Sequence, residues 1–581
     1  MTSLKISIAA ILIFTLVIPQ PAARAATQLW EQTIPQKMTW SQVTDYGTLL
    51  VGTANNLLSI NPDDGSVIWT RDDLPKTASF NARTIPGTPI LLINDYVAIG
   101  AKTKIRAIDL GTGKEIWQTE PEMAYSIGMY PFTKEGIVVL FFNGFGTEKE
   151  GNGVYMRAYD IKTGAVKWQT KYSALNAFPL HLADNSGFFA KVDLSGQQEP
   201  IVDNGVLYVP FLGVDAFDLA TGAKKWSAPF KTGHAKYKKS YAQPIIDGDT
   251  VYAAGEGIVY AINKASGEIR WKSEHNFGFI SQVLTTDKVV FARLGGNFAD
   301  PAGKTFKLVD PLGVLAIDKT TGASLWKYTG ASGGITNIVY LPAQQSVMLT
   351  DATRLIGLDI NETGKVRESF SVPIKFKRSM GGTEVASVGV KALTGGVFGL
   401  AKGLTKAAVG KERLDVPIAL LTGKNGEVIV RGQQHILSFD PVKKEINWSV
   451  HYPAPGVSIF ATTLMTALTV ISATSAQYSA ASGASSASSA QRDMESAWGD
   501  LDKMADRRYT ASQAALQHAY VLTLVDDQGK KGVGLAGINM TSGTTDSQVY
   551  LDDKQPQYTV DEVEGKLYFF HGGKLKAFAL K

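Results

Sequence analysis

The stretch Ala107-Ile108-Asp109-Leu110-Gly111-Thr112-Gly113-Lys114-Glu115-Ile116-Trp117 decides the fold, because the chain repeats its pattern many times. The pattern is a small residue, an apolar residue, Asp or Asn, two variable residues, Thr or Ser, Gly, three variable residues and Trp. Full copies occupy residues 59–69, 107–117, 158–168, 216–226, 261–271 and 316–326. Weaker copies run from Gly357 through Gly364, from Ser438 through Lys444 to Trp448, and from Gly537 through Gly543. Self-similarity of this kind is the signature of a repeat architecture.

Each copy predicts a β-hairpin. An apolar strand ends at Asp or Asn, whose side chain accepts hydrogen bonds from nearby backbone amides, and Gly takes the positive φ that the turn needs. The Trp that follows puts a large flat side chain at one repeated place, which suits packing between units. The repeat residues assigned in this way are Trp69, Trp117, Trp168, Trp226, Trp271, Trp326 and Trp448, with Gly113, Gly164, Gly222, Gly267 and Gly322.

Each unit is predicted to be a four-stranded sheet, because two further β-runs precede most copies. In the first seven copies the motif glycines are 42–58 residues apart, close to the roughly 40–50 residues of a propeller blade. Leu575–Leu580 looks like the third strand of a blade that lacks a fourth, and Leu29–Ile34, with Trp30, looks like the missing strand. Pairing of the two chain ends would close a ring and remove its open edges.

These residues resemble the PQQ-like, or quinoprotein, β-propeller repeat, whose hallmark is the A-x-D-x-x-T-G-x-x-x-W hairpin. The resemblance implies an all-β propeller of four-stranded blades, in which the tryptophans pack against the neighbouring blade. Familiar members have eight blades, whereas nine hairpins and one split blade indicate 9–10 in this chain. The family includes the propeller subunit of the outer-membrane β-barrel assembly machinery, which binds partners by its rim. It also includes dehydrogenases that bind PQQ and Ca²⁺.

The N-terminus predicts export. Lys5 precedes an apolar run from Ile6 to Ile18, and Ala23-Arg24-Ala25 fits a cleavage site with small residues. We expect residues 1–25 to be a signal peptide, with an uncleaved anchor as the alternative, and residues 26–581 to form a single propeller domain. The 581 residues are 44% apolar and carry a net charge of +5, less basic than a dedicated nucleic-acid binder. The absence of Cys excludes disulfides, thiolate metal sites and a lipid anchor on an N-terminal Cys.

Two insertions interrupt the repeat. The first, residues 379–413, is Gly-rich, and its part from Val390 to Ala408 has the periodicity of an amphipathic helix with lysines on one face. The second, residues 456–517, joins an apolar helical run over 457–473 to a Ser/Ala-rich tract over 475–490 and a charged helical pattern. Either insertion could pack on the propeller or contact a membrane or partner, and local disorder is a third interpretation of the second. The candidate contact residues are Lys391, Leu393, Val397, Leu400, Lys402, Leu404, Lys406, Ile459, Phe460, Leu464 and Leu468.

The sequence offers no convincing active site. Many dehydrogenases of the family hold the quinone against a vicinal Cys pair, which a chain without Cys cannot supply. The seven His are scattered, and none has a metal-ligand spacing such as H-x-x-x-H. The prominent acidic residues belong to the repeat turns, where capping is their expected role. We therefore assign no catalytic, cofactor-binding or metal-binding residue and expect no cofactor, PQQ and calcium being required only by an oxidoreductase alternative.

The sequence and the resemblance favour an exported, non-enzymatic β-propeller scaffold. It would mediate protein–protein interactions in the bacterial cell envelope, in outer-membrane protein assembly, at the periplasm or the outer-membrane periphery and without a lipid anchor. Its partners would be envelope proteins bound at the propeller rim or the insertions, with contact to a membrane surface and none to nucleic acid. Two alternatives stay open: a PQQ- and Ca²⁺-dependent oxidoreductase, and an envelope structural protein that self-associates or binds lipid through its insertions.

Overall fold

The computed structural model of the chain is built from β-sheets. It describes residues 24–580 except 98–101, 148–150, 174–199, 211–212, 231–241, 256, 277, 300–305, 362, 380–411, 415–416, 418, 424, 433, 453–517 and 554–555. Ten of its sheets have four strands and one has two. We number the four-stranded sheets as blades 1–10 in chain order. The predicted all-β propeller is confirmed, with ten blades in place of the eight that are usual for the family.

The strands of the first five blades follow one another along the chain. Two N-terminal strands come before them, β1 (Arg24–Ala25) and β2 (Thr27–Thr33). Blade 1 consists of β3 (Met38–Val43), β4 (Leu49–Thr53), β5 (Leu57–Ile60) and β6 (Val67–Arg71). Blade 2 consists of β7 (Ala82–Thr84), β8 (Ile90–Val97), β9 (Lys102–Asp109) and β10 (Glu115–Gln118). Blade 3 consists of β11 (Ala124–Phe132), β12 (Ile137–Thr147), β13 (Gly151–Asp160) and β14 (Val166–Ser173). Blade 4 consists of β15 (Ile201–Asp203), β16 (Val206–Pro210), β17 (Gly213–Asp218) and β18 (Lys224–Pro229). Blade 5 consists of β19 (Ile245–Asp247), β20 (Thr250–Gly255), β21 (Ile258–Asn263) and β22 (Ile269–Lys272).

The later blades include the two that the N-terminal strands complete. Blade 6 consists of β23 (Ile280–Thr285), β24 (Val289–Ala299), β25 (Phe306–Asp318) and β26 (Ser324–Tyr328). Blade 7 consists of β27 (Val339–Leu341), β28 (Ser346–Thr350), β29 (Arg354–Asp359) and β30 (Glu368–Pro373), and a ribbon of β31 (Lys377–Ser379) and β32 (Glu412–Leu414) follows it. Blade 8 consists of β33 (Ala419–Thr422), β34 (Val428–Arg431), β35 (His435–Asp440) and β36 (Glu445–His451). Blade 9 joins β37 (His518–Asp527), β38 (Lys530–Asn539) and β39 (Thr545–Tyr550) to β1. Its motif hairpin is β38–β39, so β37, β38 and β39 have the places of second, third and fourth strands, and β1 pairs parallel with β39 on the outer edge. Blade 10 joins β40 (Gln557–Asp561), β41 (Lys566–His571) and β42 (Lys574–Ala579) to β2. Short 3₁₀ helices occupy Ser79–Asn81, Thr133–Glu135 and Pro342–Gln344.

The motif turns are built as the repeat predicts. In blade 2, Asp109 accepts hydrogen bonds on Oδ1 from the backbone amides of Gly111 at 2.9 Å and Thr112 at 2.7 Å. The amide of Gly113 donates to the carbonyl oxygen of Asp109 at 2.8 Å, and Gly113 has φ +68°. A residue with a side chain is strained at this φ, so the turn itself favours Gly.

The motif tryptophans join consecutive blades. The indole of Trp69 in blade 1 covers Gly113 of blade 2, where a Cβ would come within 2.6 Å of the indole Cγ. The same indole donates from Nε1 to the carbonyl oxygen of Leu110 at 2.7 Å. Equivalent pairs are Trp30–Gly65, Trp117–Gly164, Trp168–Gly222, Trp226–Gly267, Trp271–Gly322 and Trp448–Gly543. Because a side chain would collide with the indole, Gly is required here twice, by the turn and by the packing.

The contact between blades 6 and 7 departs from this rule. In the turn of blade 7, Gly364 comes five positions after Asp359, whereas in blade 2 Gly113 comes four positions after Asp109. A Cβ on Gly364 would have nothing within 4 Å, and the buried Nε1 of Trp326 has no hydrogen-bond partner among the described residues. One extra turn residue therefore moves the glycine away from the indole.

The two chain ends close the ring, as the sequence predicts. Strand β2 pairs antiparallel with β42, and Trp30 lies opposite Ala577. On the other side, the Ser41 hydroxyl of blade 1 lies 2.6 Å from the Thr559 hydroxyl of blade 10, and the Lys566 ammonium of blade 10 lies 2.9 Å from an oxygen of Asp63. The ring is closed by a sheet, by side-chain hydrogen bonds and by an ion pair.

Two sets of predicted features fall outside the described residues. The helical insertions and the candidate contacts Lys391, Leu393, Val397, Leu400, Lys402, Leu404, Lys406, Ile459, Phe460, Leu464 and Leu468 belong to 380–411 and 453–517. Residues 1–23 of the predicted signal peptide are likewise outside them, whereas its last two residues, Arg24 and Ala25, form β1, which cleavage after Ala25 would remove from blade 9. Within the described part of the chain, no helix has the length and hydrophobicity needed to cross a membrane.

Candidate functional site: the loop face around blade 8

The connections of the propeller divide into two faces. In an antiparallel blade, the turns after the first and third strands lie at one end, and the second-to-third loop and the chain's exit to the next blade lie at the other. We call these ends the turn face and the loop face. Neighbouring blades have the same orientation, because in seven of the contacts a motif Trp on a fourth strand meets the third-to-fourth turn of the next blade.

The elaborations of the chain share the loop face. Three blades have long second-to-third hairpins, with strands of 11 and 10 residues in blade 3, 11 and 13 in blade 6, and 10 and 10 in blade 9. The equivalent strands of blade 1 have 5 and 4 residues. The chain also leaves the described residues for 174–199, 231–241, 380–411 and 453–517 between blades, at this same end. The turn face, by contrast, carries the short repeated motif turns.

Both insertions start from the same end of blade 8. Strands β31 and β32, which flank residues 380–411, pair antiparallel through Lys377 with Leu414 and Ser379 with Glu412. This ribbon enters blade 8 through β33. At the other side of the blade, β36 ends at His451, two residues before 453–517. The two insertions therefore flank blade 8 at the loop face.

Three stacked rings mark this end of blade 8. His435 opens β35 and lies directly opposite His451 at the end of β36. Their ring centroids are 4.2 Å apart, and the phenyl ring of Phe376 lies 4.7 Å from His435 on the other side, at an interplanar angle of 11°. Phe376 is fully buried, His435 is almost so, and His451 is exposed. The stack fixes the points at which the chain departs toward both insertions.

A hydrogen bond joins blade 8 to blade 9 beside this stack. The buried Arg431 guanidinium of β34 donates to the carbonyl oxygen of Tyr520 in β37 at 3.2 Å. Burial raises the pKa of the Glu562 carboxyl of blade 10, and the field of Arg431 opposes that rise. Burial, reinforced by Glu562, also raises the pKa of the Tyr520 phenol. Charged groups of blades 8 and 10 thus act on the same strand of blade 9.

Polar side chains hold blades 6, 7 and 8 in register. The Gln282 amide of blade 6 donates to the carbonyl oxygen of Ile338 at 3.0 Å and accepts from its N–H at 2.8 Å. The Asn337 amide of blade 7 does the same with Leu420 of blade 8, at 3.0 and 2.7 Å. Each amide satisfies both backbone groups of one residue in the next blade, so blades 6, 7 and 8 are linked at the base of the loop face.

The histidine stack was missed by sequence reasoning. Spacing along the chain suggested no relation between His435 and His451, which are 16 residues apart. The repeat did contain the signal, because Ser438 pairs with Trp448 in the motif hairpin. Extending that register by three residues in each direction brings the two histidines opposite one another. Among the described residues, no group of three or more His, Asp or Glu side chains could hold a metal ion.

Ten four-stranded blades, eight of which carry the motif Trp, form a ring that strands from both chain ends close, and they define a β-propeller of PQQ-like repeats. A family model described as "Outer membrane protein assembly factor BamB" matches residues 22–185, 131–291 and 212–390. These matches cover more than half of the chain, and the chain belongs to this family.

Individual relatives share only part of the sequence. The outer membrane protein assembly factor BamB of Yersinia pestis is 22% identical over 290 residues, which are 46% of this chain and 63% of the relative. The quinohemoprotein alcohol dehydrogenase ADH IIB of Pseudomonas putida is 29% identical over 123 residues, 20% of this chain and 17% of the relative. The chain thus spans less than two thirds of the length of either relative. The crystal structure of BamB from Moraxella catarrhalis, at 14% identity, aligns with 72% of this chain and 97% of its own, with a TM-score of 0.33.

Proposed function

We propose that the protein is an exported, non-enzymatic scaffold that binds other proteins of the bacterial cell envelope and takes part in outer-membrane protein assembly. The observation that carries the proposal is the contrast between the two faces. The turn face repeats one short turn from blade to blade, whereas the long hairpins and long connections share the loop face. Loops held by a rigid frame are where binding surfaces are usually built. Membership of the BamB family supports the same role.

The insertions are the parts of the loop face that we propose to make the specific contacts. The candidate residues of the first insertion combine apolar side chains with lysines, which suits a partner protein or an anionic membrane surface, and those of the second insertion are all apolar. Both start beside the ring stack of blade 8, so one partner could engage both of them at once. We propose that the protein works at the periplasm or the outer-membrane periphery, without a lipid anchor and without a cofactor.

Crosslinking from single cysteines tests the proposal, because the natural chain has no Cys to interfere. Gln528→Cys and Asn55→Cys place a unique thiol in exposed second-to-third loops of blades 9 and 1, on the loop face. Lys162→Cys and Lys443→Cys place it in exposed motif turns of blades 3 and 8, on the turn face. A thiol-specific photocrosslinker is attached in intact envelopes, and the adducts are identified by mass spectrometry.

The scaffold proposal expects adducts with components of outer-membrane protein assembly from the loop-face positions and few from the turn-face positions. Deleting the gene should also lower the amounts of folded outer-membrane barrels. Adducts spread equally over both faces, or loop-face adducts only with a second copy of this chain, would contradict it. The second pattern would favour the self-associating structural protein.

A second candidate function is a PQQ-dependent oxidoreductase, which the match to the Pseudomonas dehydrogenase favours. The test is a titration of residues 26–581 with PQQ and Ca²⁺, followed by calorimetry and intrinsic Trp fluorescence. The scaffold proposal expects no saturable binding by protein whose fluorescence shows it to be folded. Binding of one equivalent, with turnover of an alcohol, would replace the scaffold by the enzyme.

A further inference from the structure

Arg293 is a partly buried cation in the contact between blades 6 and 7. It lies on β24, where alternate side chains point to the same side of the strand. On that side, Val289 and Phe291 pack into a cluster with Val347 and Leu349 of blade 7. Arg293 continues this row toward the loop face. An arginine thus extends a row of apolar side chains.

A glycine bulge makes room for the guanidinium. The pairing of β24 with β25 shifts register between Leu294 and Gly296, and Gly295 and Gly296 have φ +64° and +135°. The bulge is held by the Ser281 hydroxyl, which donates to the carbonyl oxygen of Gly295 at 2.7 Å. A Cβ on Gly296 would lie 2.1 Å from Nη2 of Arg293. The missing side chain at Gly296 is therefore what accommodates the guanidinium.

The guanidinium has no anionic partner among the described residues. No hydrogen bond or ion pair involves it there, and its Nε atom is inaccessible to solvent. Burial alone lowers the pKa of Arg293 to about 10, with no carboxylate opposing the shift. By contrast, Arg157 of blade 3 makes a two-point ion pair with Glu122, at 2.5 and 3.0 Å. A largely buried charge without a partner is costly, which indicates that a group other than the described residues completes this site.

The guanidinium of Arg293 is accessible from the surface of the protein. The residue as a whole is partly exposed although its Nε atom is buried, so one side of the guanidinium can be reached from outside. The nearest cross-strand side chain is Gln282, whose amide is already occupied by Ile338. The site therefore presents a single positive charge with a planar fork of N–H donors, which matches a singly charged group with two oxygens. A dianion such as phosphate would call for a second cation.

We propose that Arg293 and the Gly295–Gly296 bulge form a binding site for one carboxylate group of a ligand or partner. The guanidinium binds both carboxylate oxygens, and the glycine bulge leaves the room that the guanidinium itself needs. A free carboxylic acid and an acidic side chain of a polypeptide share this chemistry. The site does not depend on the scaffold function, because it is defined by the contact between two blades.

Thermal unfolding followed by intrinsic Trp fluorescence tests the site. Wild type, Arg293→Met and Arg293→Lys are compared at pH 7 in 100 mM sodium acetate and in sodium chloride of equal ionic strength. Arg270→Met is the matched control, because Arg270 already pairs with Asp249 at 2.5 Å. We expect acetate at about ten times its dissociation constant to raise the midpoint of wild type and of the control by about 2 °C over chloride. The shift should vanish in Arg293→Met, whose midpoint in chloride should not fall below that of wild type.

An acetate shift that is equal in wild type and Arg293→Met would overturn the site. The site would also be overturned if wild type showed no acetate shift and Arg293→Met had a lower midpoint than wild type by the same amount in both salts. The guanidinium would then be a structural contact. If Arg293→Met does not fold, Arg293→Lys decides, because it keeps the charge and loses the fork. A reduced shift supports the site, and an unchanged shift overturns it.

The source of the carboxylate is distinguished with a short peptide capped at both ends. One version carries a central Glu, and its control carries Gln. Stabilisation of wild type by the Glu peptide and not by the Gln peptide assigns the site to an acidic polypeptide. Stabilisation by acetate alone assigns it to a small carboxylic acid.

Discussion

Substitution of Gly113 by Ala tests how strongly the motif tryptophans join the blades. Gly113 has φ +68°, where an L-residue costs roughly 1–2 kcal/mol. The new Cβ would also lie 2.6 Å from Cγ and 2.8 Å from Cδ2 of Trp69, closer than such atoms approach in proteins. The buried indole would have to move. It would lose its 2.7 Å hydrogen bond to Leu110, worth about 1 kcal/mol, and part of its burial, worth roughly another 1–2 kcal/mol. The expected loss of unfolding free energy is therefore about 3–5 kcal/mol.

The chain contains a matched control for this experiment. Gly364 has the same place in the motif and φ +81°, but a Cβ there would meet nothing within 4 Å. Gly364→Ala should therefore cost only the backbone strain, about 1–2 kcal/mol. The difference between the two variants isolates the contact with the indole from the requirement of the turn.

Equilibrium unfolding in urea, followed by circular dichroism, measures both losses. The Gly113→Ala variant should unfold at a clearly lower urea concentration than Gly364→Ala. A second comparison in a Trp69→Phe background should shrink that gap, because the smaller ring leaves more room for the methyl group. Equal losses in the two glycine variants would refute the reasoning, since the indole contact would then add nothing to the strain of the turn.

Three further substitutions test other parts of the structure. Lys444 occupies the glycine position of blade 8 at φ +60°, so Lys444→Gly should raise the unfolding free energy by about 1 kcal/mol in urea melts, and a decrease would show that its 3.1 Å hydrogen bond to Ser369 matters more. Gln282→Leu leaves two backbone groups of blade 7 without their partner and should cost about 1–3 kcal/mol, whereas no loss would mean that water replaces the amide. The Arg71 guanidinium beside Asp73 holds the pKa of that carboxyl below its usual range, so this pair stabilises the fold above about pH 4 and loses its effect as the pH falls further. Asp73→Asn should accordingly lower the melting temperature at pH 7 and differ less from wild type at pH 3, and a constant difference would contradict the assignment.

The sequence predicted the fold because the same contact is encoded many times. Most copies have a Gly with left-handed backbone geometry and a Trp at a fixed spacing from it. These two residues recur so often that an irregular copy can be recognised among the regular ones. The split blade was predictable for the same reason, since Trp30 has the place of a motif Trp and covers Gly65 of blade 1. Counting weak copies also favoured a larger ring than the usual eight blades, and the copies at Gly364, Lys444 and Gly543 all proved to belong to blades.

The candidate sites were less predictable because they depend on contacts between repeats. The stack of Phe376 on His435 requires the path of the chain between blades 7 and 8, which no local pattern specifies. The site at Arg293 depends on where a bulge shifts the register of β24, and a pair of glycines in a strand does not say which neighbouring side chain they accommodate. Only the pairing of His435 with His451 could have been obtained from the sequence, by extending the hairpin register.

The departures from the repeat are concentrated in the blades that flank the insertions. The position of the motif Trp is held by Phe370 in blade 7, opposite Gly357, and by Ser547 in blade 9, opposite Gly537. The motif glycine of blade 8 is Lys444, which a smaller ring in the preceding blade can tolerate. Where the indole is absent, the requirement for Gly is relaxed and the blades are joined by other means, such as the Arg431 hydrogen bond to blade 9. Regular tryptophan contacts are therefore most frequent in blades 1–6, while blades 7–9 depend on individual polar and aromatic contacts. Such contacts can change one at a time, which suits the part of the ring that carries the chain's own insertions.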